Sequence, residues 1–373
     1  MKRTTIFIHI IILLFANFTM FACANVKEKT GTMVTTDFEF ISGNNKLSGI
    51  IDQPANGDAK ALILFVHGSG PTNIRMENRY IDLRQRFTKL GIACVVWDKP
   101  GNGRSEGEFD QNQPVEESAQ EVLDAIAYLR SKSVPGSTRI GIWSTSRGSW
   151  VAPIAMSQDR EIEFWISVSG VPAEDNKYYL MKSNLPLEGR TREETQLLLK
   201  EWVRGRQIFM QGGAYDEYLN ATGNLRKDTS VIYFAGDPEV SREEYEAEQK
   251  AFLEVKDQYE FDHETLSLIM VRNFAEMLSG LNIDVLALLG EKDTNVDWRK
   301  TKQLYESTFG KNPNALLTIQ TFPNANHSMN ISKTGSVREV EEKLMRDGKK
   351  AEGFYEIQLD WLRKNVLGET GKD

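Results

Sequence analysis

The strongest constraint on this chain is a repeated alternation. Short apolar runs recur at Ala61–Val66, Ile92–Trp97, Ile140–Trp143, Phe164–Val168, Val285–Leu289 and Leu316–Phe322. A run that is apolar at nearly every position has no face for water, so it needs cover on both sides. Parallel sheets covered by crossover helices supply that cover. The intervening stretches carry the matching helical period. Leu83, Phe87 and Leu90 line one face; Ala119, Val122, Ile126 and Leu129 line another. A last helix is predicted near Phe354–Val366, where Phe354, Ile357, Trp361 and Leu362 form a stripe. Ahead of this pattern, the alternating segments Asp37–Ile41 and Lys46–Ile51 flank Gly43-Asn44-Asn45 and predict an antiparallel hairpin. The fold class is α/β, with a mostly parallel sheet.

One region interrupts the alternation. Residues 171–281 are rich in charged, helix-compatible sequence, including Arg190–Arg206 and Ser241–Lys256, and contain no convincing strand. That is too long for a simple crossover. The predicted organisation is a core in two parts, 35–170 and 282–368, with a helical cap inserted at 171–281.

The N-terminus reads as a targeting segment. Lys2 and Arg3 precede an apolar stretch, Ile6–Phe18, followed by the small residues Ala22, Cys23 and Ala24. Residues 1–23 are therefore expected to be a signal peptide. Two processing routes are open: cleavage at Ala22-x-Ala24, or a lipobox in Met20-Phe21-Ala22-Cys23 with lipid on Cys23. The reading favours the lipoprotein, with Met in place of the usual Leu as its blemish. An extracytoplasmic address follows, periplasmic or at the cell envelope, with membrane anchoring through a Cys23 lipid. The only other cysteine, Cys94, sits in a core run, so no disulfide framework is expected. A net charge of −8 without a basic cluster argues against nucleic acid as a partner. Four histidines without a Cys/His cluster suggest no metal site, and no cofactor is expected.

Chemistry concentrates at Ile140-Gly141-Ile142-Trp143-Ser144-Thr145-Ser146-Arg147-Gly148-Ser149-Trp150. A strand stops abruptly there, and helix-compatible sequence resumes at Val151–Met156. A serine on a sharp strand-to-helix turn is held exposed above a helix N-terminus, which favours developing negative charge. Such a turn needs small residues two before and two after the nucleophile. Ser146 has Ser144 and Gly148; the alternative nucleophile, Ser144, would place Ile142 in a crowded position. Ser144 in place of the usual Gly is a departure from the pattern. Two further loops follow strands: His67-Gly68-Ser69-Gly70-Pro71, and Asp98-Lys99-Pro100-Gly101-Asn102-Gly103-Arg104-Ser105.

Together with Trp143-x-x-Ser146-x-Gly148-x-Trp150-x-Ala152-Pro153, these motifs resemble the α/β-hydrolase superfamily, and within it the bacterial esterase and serine-aminopeptidase-like branch. The resemblance covers about 46–168 and from 285 to the C-terminal helix, and does not extend to the cap. It implies the α/β-hydrolase fold and a triad in the order Ser, Asp, His. Ser146 would be the nucleophile. Asp293, after Val285–Leu289, would be the acid, with Asp297 as fallback at the start of the helix containing Trp298. His327, after Leu316–Phe322, would be the base. His9 falls in the signal, His67 belongs to the first loop as a structural residue, and His263 lies in the cap. The resemblance also places the oxyanion donors at the backbone N–H groups of Ser69 and Arg147. The expected activity is hydrolysis of a small acyl ester. A peptidase or amidase acting on a short peptide is the alternative, with the cap acids Asp262 or Glu264 as candidate anchors. A surface binding protein with a decayed site is the third reading; its support is Ser144 and the extracytoplasmic address.

Overall fold

A computed structural model describes residues 33–236, 240–344 and 348–369. The signal-peptide expectation, including Cys23, lies outside the described residues. Among these, an eight-stranded sheet carries β1 (Met33–Ser42), β2 (Asn45–Pro54), β3 (Ala61–Val66), β4 (Ile92–Trp97), β5 (Ile140–Thr145), β6 (Ile162–Val168), β7 (Asp284–Gly290) and β8 (Leu317–Phe322). Their order is β1-β2-β4-β3-β5-β6-β7-β8. The hairpin β1–β2 and the β2–β4 pair are antiparallel, and every later pairing is parallel.

The helices of the first half are α1 (Ile81–Lys89), α2 (Val115–Ser131) and α3 (Gly148–Gln158). Between β6 and β7 come α4 (Lys177–Asn184), α5 (Arg192–Met210), α6 (Tyr215–Ala221), α7 (Thr229–Ala235), α8 (Arg242–Val255) and α9 (Phe274–Ser279). Then follow α10 (Trp298–Ser307), α11 (Val337–Leu344) and α12 (Phe354–Trp361). No helix among the described residues is long and apolar enough to cross a membrane.

The strand period of two sorts side chains into two cores. Leu62, Leu64 and Val66 of β3 face α2 and α3, joining Ala119, Val122, Ile126 and Leu129. Their neighbours Ala61, Ile63 and Phe65 face the other way, toward Leu83 and Phe87 of α1 and Phe354 and Trp361 of α12. Cys94 is buried in this second layer. Helices α4, α5 and α7 pack around a separate apolar cluster that includes Met181, Leu185, Leu198, Val231 and Phe234.

Several boundaries differ from the sequence pattern. β5 runs two residues past Trp143 because Ser144 and Thr145 still pair with Ser167 and Val168 of β6. α3 starts at Gly148 rather than Val151, as a helix can begin directly under the turn. The last α-helix, α12, stops at Trp361, and Leu362–Val366 continues as a wider π-helical turn that keeps Leu362 and Val366 buried.

Candidate active site

The carboxyl ends of β3, β5, β7 and β8 meet at one edge of the sheet, and each contributes a loop. Ser146 stands between β5 and α3 with φ +52°, a left-handed conformation that a side-chain-bearing residue adopts at a cost. Its N–H donates to Val168 O at 3.1 Å, and its carbonyl accepts from Ser149 N–H at 2.8 Å, so both sides of the turn are tied. The tightness shows at Gly148: a Cβ there would lie 2.6 Å from Val66 O and 3.0 Å from His67 O. Ser144 is accommodated differently. It is fully buried, and its hydroxyl accepts a 2.8 Å hydrogen bond from Trp165 Nε1. The departure from glycine thus satisfies a buried indole.

His327 follows β8 and reaches Ser146. Its Nε2 lies 3.0 Å from Ser146 Oγ, and its Nδ1 lies 2.7 Å from Asp293 Oδ2. Asp293 is buried, and its other oxygen accepts from the N–H groups of Asn295 at 2.8 Å and Val296 at 2.9 Å. This leaves one carboxylate oxygen aimed at the imidazole. Burial works against a charged imidazole, but the charge and hydrogen bond of Asp293 outweigh it and hold the His327 pKa above its ordinary value. The fallback acid, Asp297, is elsewhere: its carboxylate caps α10 by accepting from Arg299 and Lys300 N–H.

The loop after β3 runs alongside the serine. A Cβ on Gly68 would fall 3.2 Å from Ser146 Cβ, which places the Gly68–Ser69 peptide against the turn. Among the described residues, the N–H groups of Ser69 and Arg147 meet no acceptor. Arg147 turns its buried guanidinium away, to Ser118 Oγ at 3.1 Å, which leaves its backbone at the turn. His67 is buried and structural. Its Nε2 donates to Trp97 O at 2.8 Å, its Nδ1 accepts from Tyr80 at 3.2 Å, and burial pushes its pKa down to about 3. The Asp98–Ser105 loop is likewise a brace: Asp98 accepts from Ile74 N–H at 2.8 Å and Arg104 N–H at 3.1 Å.

Three supports carry no sequence motif of their own. Ser169 Oγ donates to His327 O at 2.6 Å, Tyr179 of α4 donates to Asp293 O at 3.2 Å, and Lys99 Nζ donates to Gly68 O and Gly70 O. The proposed cap anchors fare unequally. Asp262 closes a local turn, accepting from Thr265 N–H at 2.8 Å, whereas Glu264 is exposed beside a groove that Tyr178, Leu199 and Val203 also line. His263 is exposed. Among the described residues, no cluster of His, Cys, Asp and Glu is arranged to hold a metal ion.

The family model described as Serine aminopeptidase, S33 matches residues 57–331. The chain is similar to the quorum-quenching protein AidA of Acinetobacter baumannii (strain MDR-ZJ06), at 32% identity over 131 residues, 35% of this chain and 42% of that protein. It therefore spans less than half the length of that relative. An uncharacterized 31.7 kDa protein from the traX-finO intergenic region of Escherichia coli is 23% identical over 253 residues, covering 66% of this chain and 77% of that one. Among solved structures, DcsB in complex with its substrate analogue has a similar fold, with a TM-score of 0.50, 16% identity, and coverage of 90% of this chain and 100% of that chain.

Proposed function

The chain belongs to the serine aminopeptidase S33 family and is a hydrolase of the α/β-hydrolase fold, and from that premise we propose that it cleaves carboxylic esters through an acyl-enzyme on Ser146. One observation carries the reading: Ser146 Oγ, the His327 imidazole and the Asp293 carboxylate form a continuous hydrogen-bonded line. In this mechanism His327 Nε2 takes the hydroxyl proton as Ser146 Oγ attacks the acyl carbon. The N–H groups of Ser69 and Arg147 receive the oxyanion. The C–O bond to the alcohol then breaks, and the alcohol leaves with the proton from His327. Water, activated by His327, releases the acid and restores the serine. Asp293 holds the imidazole in the Nδ1–H tautomer and stabilises its charged form. The helical segment α4–α9 acts as the cap that shapes the acyl pocket.

A fluorophosphonate probe tests the nucleophile. It should label the wild-type protein and leave Ser146→Ala unlabelled; equal labelling would remove Ser146 from the mechanism. His327→Ala should also lose ester turnover, and robust turnover in that variant would refute the base.

A peptidase is the second reading, favoured by the description of the matching family. The two differ in the leaving group, since an amine must be protonated to depart while an alkoxide or phenolate leaves more readily. Rates on short-chain aryl esters and on aminoacyl anilides separate them. Turnover of the anilides alone would overturn the ester proposal. The N-terminal segment adds a proposed location, outside the cytoplasm with lipid on Cys23. Cys23→Ser should shift the protein from the membrane fraction to the soluble one, and unchanged partitioning would count against the anchor.

A further inference from the structure

The side chain of Lys99 performs a task that neither the triad nor the fold motif assigns. Its ammonium reaches back from the loop after β4 and donates to two carbonyls of the loop after β3, Gly68 O at 2.6 Å and Gly70 O at 2.8 Å. We infer that Lys99 is a positioning residue for the oxyanion site, holding the Gly68–Ser69 peptide so that the Ser69 N–H faces the carbonyl oxygen under attack. The inference rests on the reading of Ser146 as nucleophile.

The argument is one of peptide geometry. The carbonyl of Gly68 and the N–H of Ser69 belong to one planar trans unit and point in opposite directions. Fixing the oxygen on the Lys99 side therefore turns the N–H to the opposite side. Such a lock is needed here because glycine places little steric restraint on its peptide planes, and Gly70 already sits at φ +88°. The second bond, to Gly70 O, spans the serine, so Ser69 is held from both flanks.

Lys99 is itself held in place. Its backbone N–H donates to Thr72 Oγ1 at 3.0 Å, and the same loop is braced by Asp98. Its charge sits among other buried groups. Burial, and after it the charge of Arg147, disfavours the ammonium; Glu121 favours it, and the balance pushes the pKa down to about 7. An amine that has lost its proton still has two N–H bonds for the two carbonyls, so the lock does not depend on the charge. A positioning role predicts that the transition state suffers more than the ground state when the lock is removed.

The test uses the full chain and an aryl butyrate ester, with Ser146→Ala as control. Lys99→Met should lower kcat by roughly 10- to 100-fold, short of the ~10²–10³ typical of losing a whole oxyanion donor, while KM stays within about twofold. Affinity for an alkylboronic acid, which adds to the serine as a tetrahedral anion, should fall by the same factor as kcat/KM. Lys99→Arg, which keeps donors and charge, should recover part of the loss. A role confined to tying two loops together would lower the melting temperature and leave kcat and boronate affinity unchanged, and that result overturns the inference. So would a rise in KM alone. Should Lys99→Met not fold, Lys99→Leu, which also lacks a donor for the two carbonyls, is read in the same way, and wild-type kcat in it refutes the lock. Activity that survives in Ser146→Ala would instead defeat the nucleophile reading, whereas an inactive Ser146→Ala beside a fully active Lys99→Met would defeat the lock alone.

Discussion

The strand-end loops and the helical segment α4–α9 are built on different principles. At the sheet edge, position is set by backbone: Ser146 is held at φ +52° by bonds from both sides, and Gly148 leaves no room for a Cβ. The segment between β6 and β7 relies on side chains. It has its own apolar cluster, capping boxes at Thr191 and Ser241, and exposed ion pairs such as Arg204–Glu217 and Arg242–Asp216. Exposed pairs of this kind contribute little each. The segment still touches the edge, where Tyr179 of α4 donates to Asp293 O, but its apolar cluster is its own. In the proposed mechanism, chemistry belongs to the sheet edge and selection among substrates to the helical segment.

The largest expected effect probes the rigid part. Asp293→Asn retains the shape of the acid but removes its charge and favours the wrong imidazole tautomer. A fall in kcat of about 10⁴-fold on an aryl ester is expected, equivalent to about 5 kcal/mol of transition-state stabilisation. A loss of less than tenfold would show that Asp293 is a bystander. The same variant carries a pH signature. Base catalysis needs neutral His327, so kcat/KM falls as pH drops through the His327 pKa. With Asp293 charged, that limb is expected above the ordinary imidazole range. Without the charge, burial is the remaining influence, and the limb should move to lower pH.

Gly148→Ala tests the backbone of the turn more gently. The added methyl meets Val66 O and His67 O, backbone atoms that cannot step aside cheaply. A stability loss of about 1–3 kcal/mol is expected together with reduced kcat, checked by chemical denaturation and initial rates. An alanine tolerated in both measurements would mean that the edge is softer than its geometry implies.

The two regions also differ in how much their sequence discloses. The sheet was legible because each run from Ala61–Val66 to Val285–Leu289 is apolar over nearly its whole length, and only a covered strand can tolerate that. The last run, Leu316–Phe322, mixes in Thr318, Gln320 and Thr321, as suits the half-buried edge strand that β8 is. The candidate site residues Ser146, Asp293 and His327 were legible because each follows one of those runs, where the α/β-hydrolase resemblance places a nucleophile, an acid and a base. Ser144 looked like a flaw, and its reason is Trp165, a partner 21 residues away that no local pattern links to it. Lys99, Ser169 and Tyr179 were hidden for the same cause. Each acts through a single hydrogen bond or pair of bonds across the fold, and such contacts leave no periodicity. In the helical segment, α5 and α8 stood out through length and charge pattern, but α6, α7 and α9 are six or seven residues long, too short to show a helical period.

The smallest expected effect belongs to the helical segment, and it tests whether the two regions are energetically separate. Asp228 caps α7 by accepting from the N–H groups of Ser230 at 2.9 Å and Val231 at 3.1 Å, and its other oxygen pairs with Arg190 at 2.7 Å. Asp228→Ala removes a cap worth about 1 kcal/mol and a partly exposed pair worth at most about as much, so a local loss of about 1–2 kcal/mol follows. Burial raises the Asp228 pKa, but Arg190 and the capped N–H groups outweigh it and leave the net value lowered. The stabilisation is therefore present above the carboxyl's unfolded pKa and fades as pH falls through the lower folded value. At neutral pH, hydrogen exchange at amides of α4, α5 and α7 should accelerate roughly 5- to 30-fold, whereas amides of β3, β5 and β7 keep their rates. Turnover of a small aryl ester should stay within about twofold of wild type. Equal acceleration in the strands would mean that the segment and the sheet open as one unit, and the division between a rigid chemical edge and an independent selective cover would not hold.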